Sequence, residues 1–178
     1  MYIVTYSSIV ICVLIFLYIN ISKNRIGAAI KAGALVPNRV KRGEWYRIIT
    51  AGFVHIRPYH LLVNMYSLYN YRWLEGALGS VWYGLLLLLA IMGGNILTMM
   101  VKKNQNSITV GISGGLYGFM AFYVTLLVRS HYFTLRDALQ YMMPNLIVNF
   151  MPNISVTGHL GGFVVGIVYA IVLQAMLS

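Results

Sequence analysis

The chain has 178 residues, of which 60% are hydrophobic and only 9% are charged. This composition is too apolar for a soluble globular domain and indicates a membrane protein. The net charge is +10, but ten of the thirteen Lys and Arg residues flank apolar runs, at positions 23–57 and 102–103, which favours anionic lipid headgroups over nucleic acid as their partners.

Six apolar runs are predicted to form membrane-crossing helices. They cover residues 3–21, 60–73, 81–101, 111–128, 138–151 and 159–177. Four are long enough for a hydrocarbon core roughly 30 Å thick, whereas the second is interrupted by polar residues and the fifth is short and contains Pro144. Runs of that kind can also be re-entrant or interfacial. We predict an all-α polytopic membrane bundle of six transmembrane helices.

The first run and the segment after it define the N-terminal part. No Lys or Arg precedes the first run, so it lacks the charged start of a signal peptide and is interpreted as a membrane anchor. Residues 22–58 form a long loop that carries most of the charge together with Trp45, Tyr46 and Phe53. We expect this loop to lie partly in the membrane interface. The other connections are short, so residues 1–178 are predicted to form one domain.

The polar residues inside the runs gather at three helix beginnings. If all six runs cross, the second, fourth and sixth run in the same direction and begin on the same membrane face. Near those beginnings lie His60, Asn64, Ser113 and His159. At about 1.5 Å of rise per residue they should share a similar depth. The pattern predicts a single polar cluster, provided that the fifth run crosses the membrane.

Glycines accompany the serine and the histidine. Gly114 and Gly118 are four residues apart, as are Gly158, Gly162 and Gly166. Such spacing alone favours helix packing over catalysis, because small residues at every fourth position are common in membrane helices. Close packing of the two helices could, however, bring His159 to hydrogen-bonding distance from Ser113, where neutral imidazole can accept the hydroxyl proton.

The chain offers few acidic residues that could complete a catalytic triad with Ser113 and His159. The only carboxylates are Glu44, Glu75 and Asp137, and none is expected beside His159. A dyad is therefore predicted, with the histidine oriented by packing against Tyr117 rather than by an acid. No H-E-x-x-H zinc motif and no intramembrane carboxylate pair are present. His55 is expected to be a structural hydrogen-bonding residue.

Four motifs occur in order along the chain. They are "EWYRIITAGFVH" before the second run, "HLLVN" at its start, "GISGGLYG" at the start of the fourth and "GHLGGFVVG" at the start of the sixth. In these motifs the chain resembles the rhomboid intramembrane serine proteases over nearly its whole length. The resemblance implies that Ser113 is the nucleophile and His159 the general base and acid. It also implies an oxyanion site made of His60, Asn64 and the Ser113 backbone amide.

The resemblance also implies packing and structural roles. Tyr117 would stack on His159, and the glycines that pack the active site would be Gly111, Gly162 and Gly166. Arg47 resembles the family's structural arginine in the first loop. Glu75 fits the acidic position after the second helix, although the basic residue usual two positions later is replaced by Ala77.

A serine-type endopeptidase is the function that the resemblance implies. Such enzymes cleave single-pass or multi-pass membrane proteins near the end of a transmembrane helix, prefer a small residue before the scissile bond and need no metal or cofactor. The alternative is a non-catalytic rhomboid-like pseudoprotease that binds transmembrane helices. A transporter is a weaker option, because broken helices and mid-membrane charges are not evident. The sequence indicates no oligomeric state.

The family's topology predicts a location as well. We expect a multi-pass protein of a prokaryotic cell membrane, with the active site opening to the extracytoplasmic side. The basic residues cluster on that same face, and the positive-inside rule taken literally would give the opposite orientation. A long structured loop can place its cations on headgroups of either leaflet, so we keep the family's topology.

Overall fold

The computed structural model describes residues 2–149 and 154–177. Those residues form ten α-helices: α1 Ile3–Ile21, α2 Arg25–Lys31, α3 Pro37–Lys41, α4 Arg47–Thr50, α5 Pro58–Asn70, α6 Arg72–Leu78, α7 Ser80–Val101, α8 Ser113–Arg129, α9 Leu135–Val148 and α10 Val156–Leu177. A short 3-10 turn covers Ala51–Phe53. In the described part of the chain, the only β-type pairing is a single bridge between Leu35 and Thr109. The predicted all-α class is confirmed.

Three helices are long and apolar enough to cross a membrane by length and composition. They are Ile3–Ile21, Ser80–Val101 and Val156–Met176. Helices α5, α8 and α9 have 13, 17 and 14 residues, so the predicted count of six spans is not established by this measure. The end of the predicted fifth run, at residues 150–151, lies outside the described residues, as do the chain ends at 1 and 178.

Proline, asparagine and glycine set several helix boundaries. Pro58 occupies the first turn of α5, where its missing N–H costs no intrahelical bond. Asn24 caps α2 by accepting a hydrogen bond of 2.8 Å from the Gly27 N–H. Gly79 separates α6 from α7 with φ +78°, a conformation that glycine adopts readily. The predicted second run, residues 60–73, lies mainly in α5 and ends in the first turn of α6, and these two helices meet at Tyr71.

Helix α8 forms the centre of the bundle and packs against both α7 and α10. Its residues Phe119 and Phe122 are fully buried, and the Phe119 ring stacks on Tyr83 of α7 with centroids 4.4 Å apart. Most of the helix is hidden by its neighbours. Because α8 is packed by protein on nearly all sides, its sequence can be rich in glycine without exposing backbone polar groups to lipid.

The long loop after α1 is attached to the segment that precedes α8. Leu35 and Thr109 exchange two backbone hydrogen bonds of 3.0 Å, and the Gly111 N–H donates to the Ala51 carbonyl at 3.0 Å. Such bonds satisfy backbone groups that would otherwise be buried without partners. The loop therefore holds the backbone immediately before Ser113 in place.

Candidate active site

The beginnings of α8 and α10 bring together the serine and the histidine. Ser113 is the first residue of α8, and His159 lies in the first turn of α10. The Ser113 Oγ and His159 Nε2 atoms are 2.8 Å apart, an ordinary hydrogen-bond distance for these atoms. His159 is only 4% exposed. The pair predicted from the sequence therefore lies in the geometry that proton transfer from the hydroxyl to the imidazole requires.

Glycines allow this contact because they let the backbones of α8 and α10 touch. A Cβ atom on Gly162 would overlap the Gly114 carbonyl oxygen, and one on Gly166 would overlap the Gly118 carbonyl oxygen. Helix α7 approaches α10 in the same way through Gly94, whose Cβ would overlap the Gly158 carbonyl oxygen. This second contact was not expected from the sequence. It fixes α10 from two sides.

The imidazole of His159 lies flat against a tyrosine. The Tyr117 and His159 rings are stacked, with centroids 4.0 Å apart and planes inclined by 12°. Tyr117 is one turn after Ser113 on α8, so the same helix carries the serine hydroxyl and the ring on which His159 stacks. The Tyr117 hydroxyl donates a hydrogen bond to the Asn145 backbone carbonyl of α9.

One residue that the sequence analysis missed also contacts the histidine. The Asn149 Oδ1 atom lies 2.5 Å from His159 Nδ1, and Asn149 Nδ2 donates to the Tyr117 hydroxyl oxygen at 3.0 Å. His159 was expected to be oriented by packing rather than by an acid. The structure adds a side-chain amide that bonds its second ring nitrogen. A polar residue within an apolar run is a functional hypothesis by default, and Asn149 carried that signal.

The predicted oxyanion residues surround Gly111, two positions before Ser113. A Cβ on Gly111 would lie 2.5 Å from His60 Cε1 and 3.5 Å from Asn64 Nδ2. Gly111 also has φ +114°, which side chains other than glycine rarely adopt. The Ser113 N–H belongs to the first turn of α8 and has no intrahelical acceptor. The side chains of His60 and Asn64 thus lie beside Gly111, two residues before Ser113.

Asn64 is held by the histidine of the loop before α5. Its Nδ2 atom donates to His55 Nε2 at 3.0 Å, and the His55 side chain is completely buried. Burial lowers the pKa of His55 to about 3, so this imidazole is neutral and can accept. The structure gives His55 the hydrogen-bonding contact that was expected of it.

A small cavity of about 20 Å³ lies beside the serine. Its lining includes Gly94, Asn95, Gly111, Ser113, Ser155 and Gly158. A space of this size holds roughly one water molecule or a methyl group. In the part of the chain described, no three His, Cys, Asp or Glu side chains converge on a point that could hold a metal ion.

Arg47 joins separate parts of the long loop. Its Nη1 atom donates to the Ile30 carbonyl at 2.6 Å and to the Ala34 carbonyl at 2.9 Å, while Nε donates to Glu44 Oε2 at 2.7 Å. The side chain is 2% exposed. One guanidinium therefore bonds two backbone carbonyls and a carboxylate of the loop.

Glu75 binds the beginning of α1. Its carboxylate accepts hydrogen bonds from the Val4 and Thr5 backbone N–H groups, at 2.8 and 2.9 Å, and from the Thr5 and Ser80 hydroxyls. An anion at a helix N-terminus is favourable.

Comparisons with known proteins agree with the motifs and the fold. A family model described as "Rhomboid domain" matches residues 42–176. From Arabidopsis thaliana, RHOMBOID-like protein 5 is 29% identical over 150 residues and RHOMBOID-like protein 6, mitochondrial, is 33% identical over 145 residues. The Rhomboid protease GluP of Bacillus subtilis (strain 168) is 26% identical over 170 residues.

Coverage differs between this chain and its relatives. The alignments cover 80%, 76% and 91% of this chain but 48%, 46% and 33% of RHOMBOID-like protein 5, RHOMBOID-like protein 6 and GluP. The chain thus spans about half the length of these plant relatives and a third of the bacterial one. Because the relatives include plant proteins, one of them mitochondrial by name, the comparisons do not support the expectation of a prokaryotic host.

The family assignment rests on most of the chain. The matched segment, residues 42–176, contains all four motifs and the helices that carry Ser113 and His159. It also contains two of the three helices that are long and apolar enough to cross a membrane. This integral membrane chain belongs to the rhomboid family.

Proposed function

We propose that the protein is an intramembrane serine endopeptidase that cleaves transmembrane segments of other membrane proteins through a Ser113–His159 dyad. The observation that carries the proposal is the 2.8 Å distance between Ser113 Oγ and His159 Nε2 at the beginnings of two closely packed helices. A serine and a histidine in this relation form the minimum of an activated nucleophile. The Bacillus subtilis relative is named a protease, which supports the same function.

The reaction follows from the contacts of the dyad. Ser113 Oγ attacks the carbonyl carbon of the scissile bond while His159 Nε2 takes the hydroxyl proton. The oxyanion accepts hydrogen bonds from the Ser113 N–H and from the side chains of His60 and Asn64. His159 then returns the proton to the leaving amine. Water, activated by the same nitrogen, attacks the acyl-enzyme, and the released proton passes back to Ser113.

In the proposed arrangement the helices cross the membrane six times. In this arrangement α1, α7, α8, α9 and α10 each cross once. Helices α5 and α6 together form the second crossing, because residues 58–78 reach roughly 30 Å when helical. Such a bundle is one rhomboid domain. The dyad then opens to the extracytoplasmic side, and the exposed Trp45 and Tyr46 of the long loop lie among lipid headgroups.

The substrates are membrane proteins whose helices can be locally unwound beside the dyad. The cavity of about 20 Å³ next to Ser113 accommodates a small side chain rather than an aromatic one, which supports cleavage after a small residue. The plant relatives are named rhomboid-like without mention of protease activity. A non-catalytic protein that binds transmembrane helices is therefore the competing function.

Cleavage by purified protein distinguishes the two functions. We expect wild-type protein in liposomes to cleave a single-pass substrate with a small residue near the end of its helix. Ser113→Ala and His159→Asn should each abolish cleavage without changing the melting temperature by more than a few degrees. The matched controls are Ser7→Ala, an exposed serine of α1, and His131→Asn, an exposed histidine with φ 59°, a conformation that asparagine tolerates.

The same assay contains the results that contradict the proposal. Cleavage by Ser113→Ala at the wild-type rate would exclude the dyad as the catalyst. Substrate binding without cleavage by the wild-type protein, over a panel of substrates with small residues at the cleavage position, would favour the non-catalytic function instead.

A further inference from the structure

We propose that Asn149 is a positioning residue that selects the protonation state of His159 required for catalysis. The inference rests on the proposed function and deepens it, because the dyad alone leaves the second ring nitrogen of the histidine undetermined. A neutral imidazole has one N–H donor and one acceptor nitrogen. Only the form with its proton on Nδ1 leaves Nε2 able to accept the Ser113 proton.

The direction of the hydrogen bonds is set at the end of α9. The Asn145 backbone carbonyl belongs to the last turn of that helix, where carbonyl groups have no intrahelical donor. A carbonyl oxygen can only accept, so the Tyr117 hydroxyl must donate its single proton to it. The Tyr117 oxygen is then left as an acceptor.

This acceptor orients the amide of Asn149. Asn149 Nδ2 lies 3.0 Å from the Tyr117 oxygen and donates to it. The reverse orientation of the amide would place two oxygen acceptors against each other, because the tyrosine proton is already committed to Asn145. The Asn149 Oδ1 atom is therefore the one that faces His159.

The oriented amide in turn determines the histidine. Asn149 Oδ1 lies 2.5 Å from His159 Nδ1, and because Oδ1 can only accept, Nδ1 must carry a proton. His159 Nε2 is then the acceptor for Ser113 Oγ at 2.8 Å. The Asn145 carbonyl thus sets the direction of each hydrogen bond in the series that runs through Tyr117, Asn149 and His159 to Ser113. When Nε2 gains the proton during catalysis, none of the hydrogen bonds from the Asn145 carbonyl to His159 Nδ1 has to reverse.

Two of the residues in this series of hydrogen bonds, His159 and Tyr117, are buried, which makes the selection effective. His159 is 4% exposed and Tyr117 is 8% exposed, so bulk water is largely kept from these two side chains. In a site of low dielectric, mismatched donors and acceptors are costly. An aspartate would also accept from Nδ1, but it could not donate to Tyr117. An asparagine satisfies both neighbours without adding a charge to the membrane.

Variants of Asn149 test the inference through activity. Asn149→Leu removes both hydrogen bonds at similar volume and should lower kcat about ten- to hundredfold with little change in KM. Asn149→Asp keeps the acceptor and adds a negative charge that stabilises the imidazolium. Its acidic limb of activity should therefore move to higher pH, by about one unit or more. A merely structural asparagine would instead leave the kcat of Asn149→Leu unchanged.

A matched control separates this effect from the loss of any membrane-protein amide. Asn70→Leu makes the same substitution at the exposed end of α5, where the side chain donates to the Tyr66 carbonyl. It should retain wild-type kcat and the wild-type pH profile. Wild-type kcat in Asn149→Leu would overturn the inference. If Asn149→Leu does not fold, the protonation state of His159 in the protein with Asn149 in place, measured as described next, carries the test.

A second measurement does not depend on cleavage. Nitrogen-15 labelling of the four histidines in the Ser113→Ala protein reports which ring nitrogen of His159 is protonated. We expect the Nδ1–H form, and a change toward Nε2–H when Asn149→Leu is added. An Nε2–H form with Asn149 present would overturn the inference. Failure of the proposed function is recognised separately, because the wild-type protein would then not cleave.

Discussion

Replacing Gly162 by alanine tests whether close backbone contact between α8 and α10 is what brings the dyad together. Gly162 lies one turn after His159 on α10, and it faces the Gly114 carbonyl, one residue after Ser113. The three atoms nearest to the added methyl group all belong to the backbone of Gly114 and not to either catalytic side chain. It acts by separating the two helices at the level of the active site.

The size of this effect follows from the contact. A Cβ at Gly162 would overlap the Gly114 carbonyl oxygen, and an ordinary contact requires the helices to move apart by about 1 to 1.5 Å. The same movement would stretch the 2.8 Å bond between Ser113 and His159 toward 4 Å, beyond the range of a hydrogen bond. A misplacement of about 1 Å can lower the rate roughly 100-fold.

Stability should fall less than activity. Overpacking costs about 1 to 3 kcal/mol, but alanine recovers up to about 1 kcal/mol through its higher helix propensity. We therefore expect Gly162→Ala to lose about 100-fold in kcat and no more than about 2 kcal/mol in the free energy of unfolding. Cleavage in liposomes measures the first quantity, and reversible unfolding in detergent measures the second.

The control is Gly84→Ala on α7, because a Cβ there would meet Val4 at an ordinary 3.6 Å. This variant should keep wild-type activity and stability. If Gly162→Ala kept full activity as well, the dyad would not depend on this contact, and the reasoning from helix separation would be wrong.

Three further predictions concern other parts of the molecule. Gly111→Ala should lower kcat at least tenfold, measured by cleavage, because its backbone has φ +114° and its Cβ would press on His60; equal kcat would contradict this. Glu75→Gln should lower the free energy of unfolding by about 2 to 4 kcal/mol, since an NH₂ group replaces one oxygen that accepts two bonds; an unchanged denaturant midpoint would refute it. The hydrogen bond from Arg47 holds the pKa of Glu44 below its usual value. The stability that the ionised Glu44 contributes is therefore present above about pH 4.5 and is lost as the pH falls through the lowered pKa. Glu44→Gln should flatten that acidic decline in melting temperature.

The long apolar helices were predictable because their runs are continuous. Helices α1, α7 and α10 begin and end within three residues of the predicted runs, since a long apolar segment in lipid has few alternatives to a helix. The three short helices of the loop were not predicted. They depend on tertiary contacts such as those of Arg47 with the Ile30 and Ala34 carbonyls, which no local pattern reveals.

The candidate site likewise contains residues that the sequence could identify and one that it could not. Ser113, His159 and Tyr117 lie in compact motifs, so the sequence could single them out, and the geometry brings them together. Asn149 lies at the end of a weak apolar run, and its contacts are with residues 10 and 32 positions away. Its significance depends on where α9 ends relative to α8 and α10. That relation is a property of the packed bundle rather than of any segment.

The contact between Glu75 and α1 has a consequence for biosynthesis. Thr5 precedes its carboxylate acceptor by 70 residues. At about 5 to 20 residues per second, roughly 4 to 14 seconds separate the synthesis of the two residues. During that interval the first helix leaves the ribosome without the anion that stabilises its N-terminus. The final attachment of α1 therefore has to wait until α6, which carries Glu75, has been made.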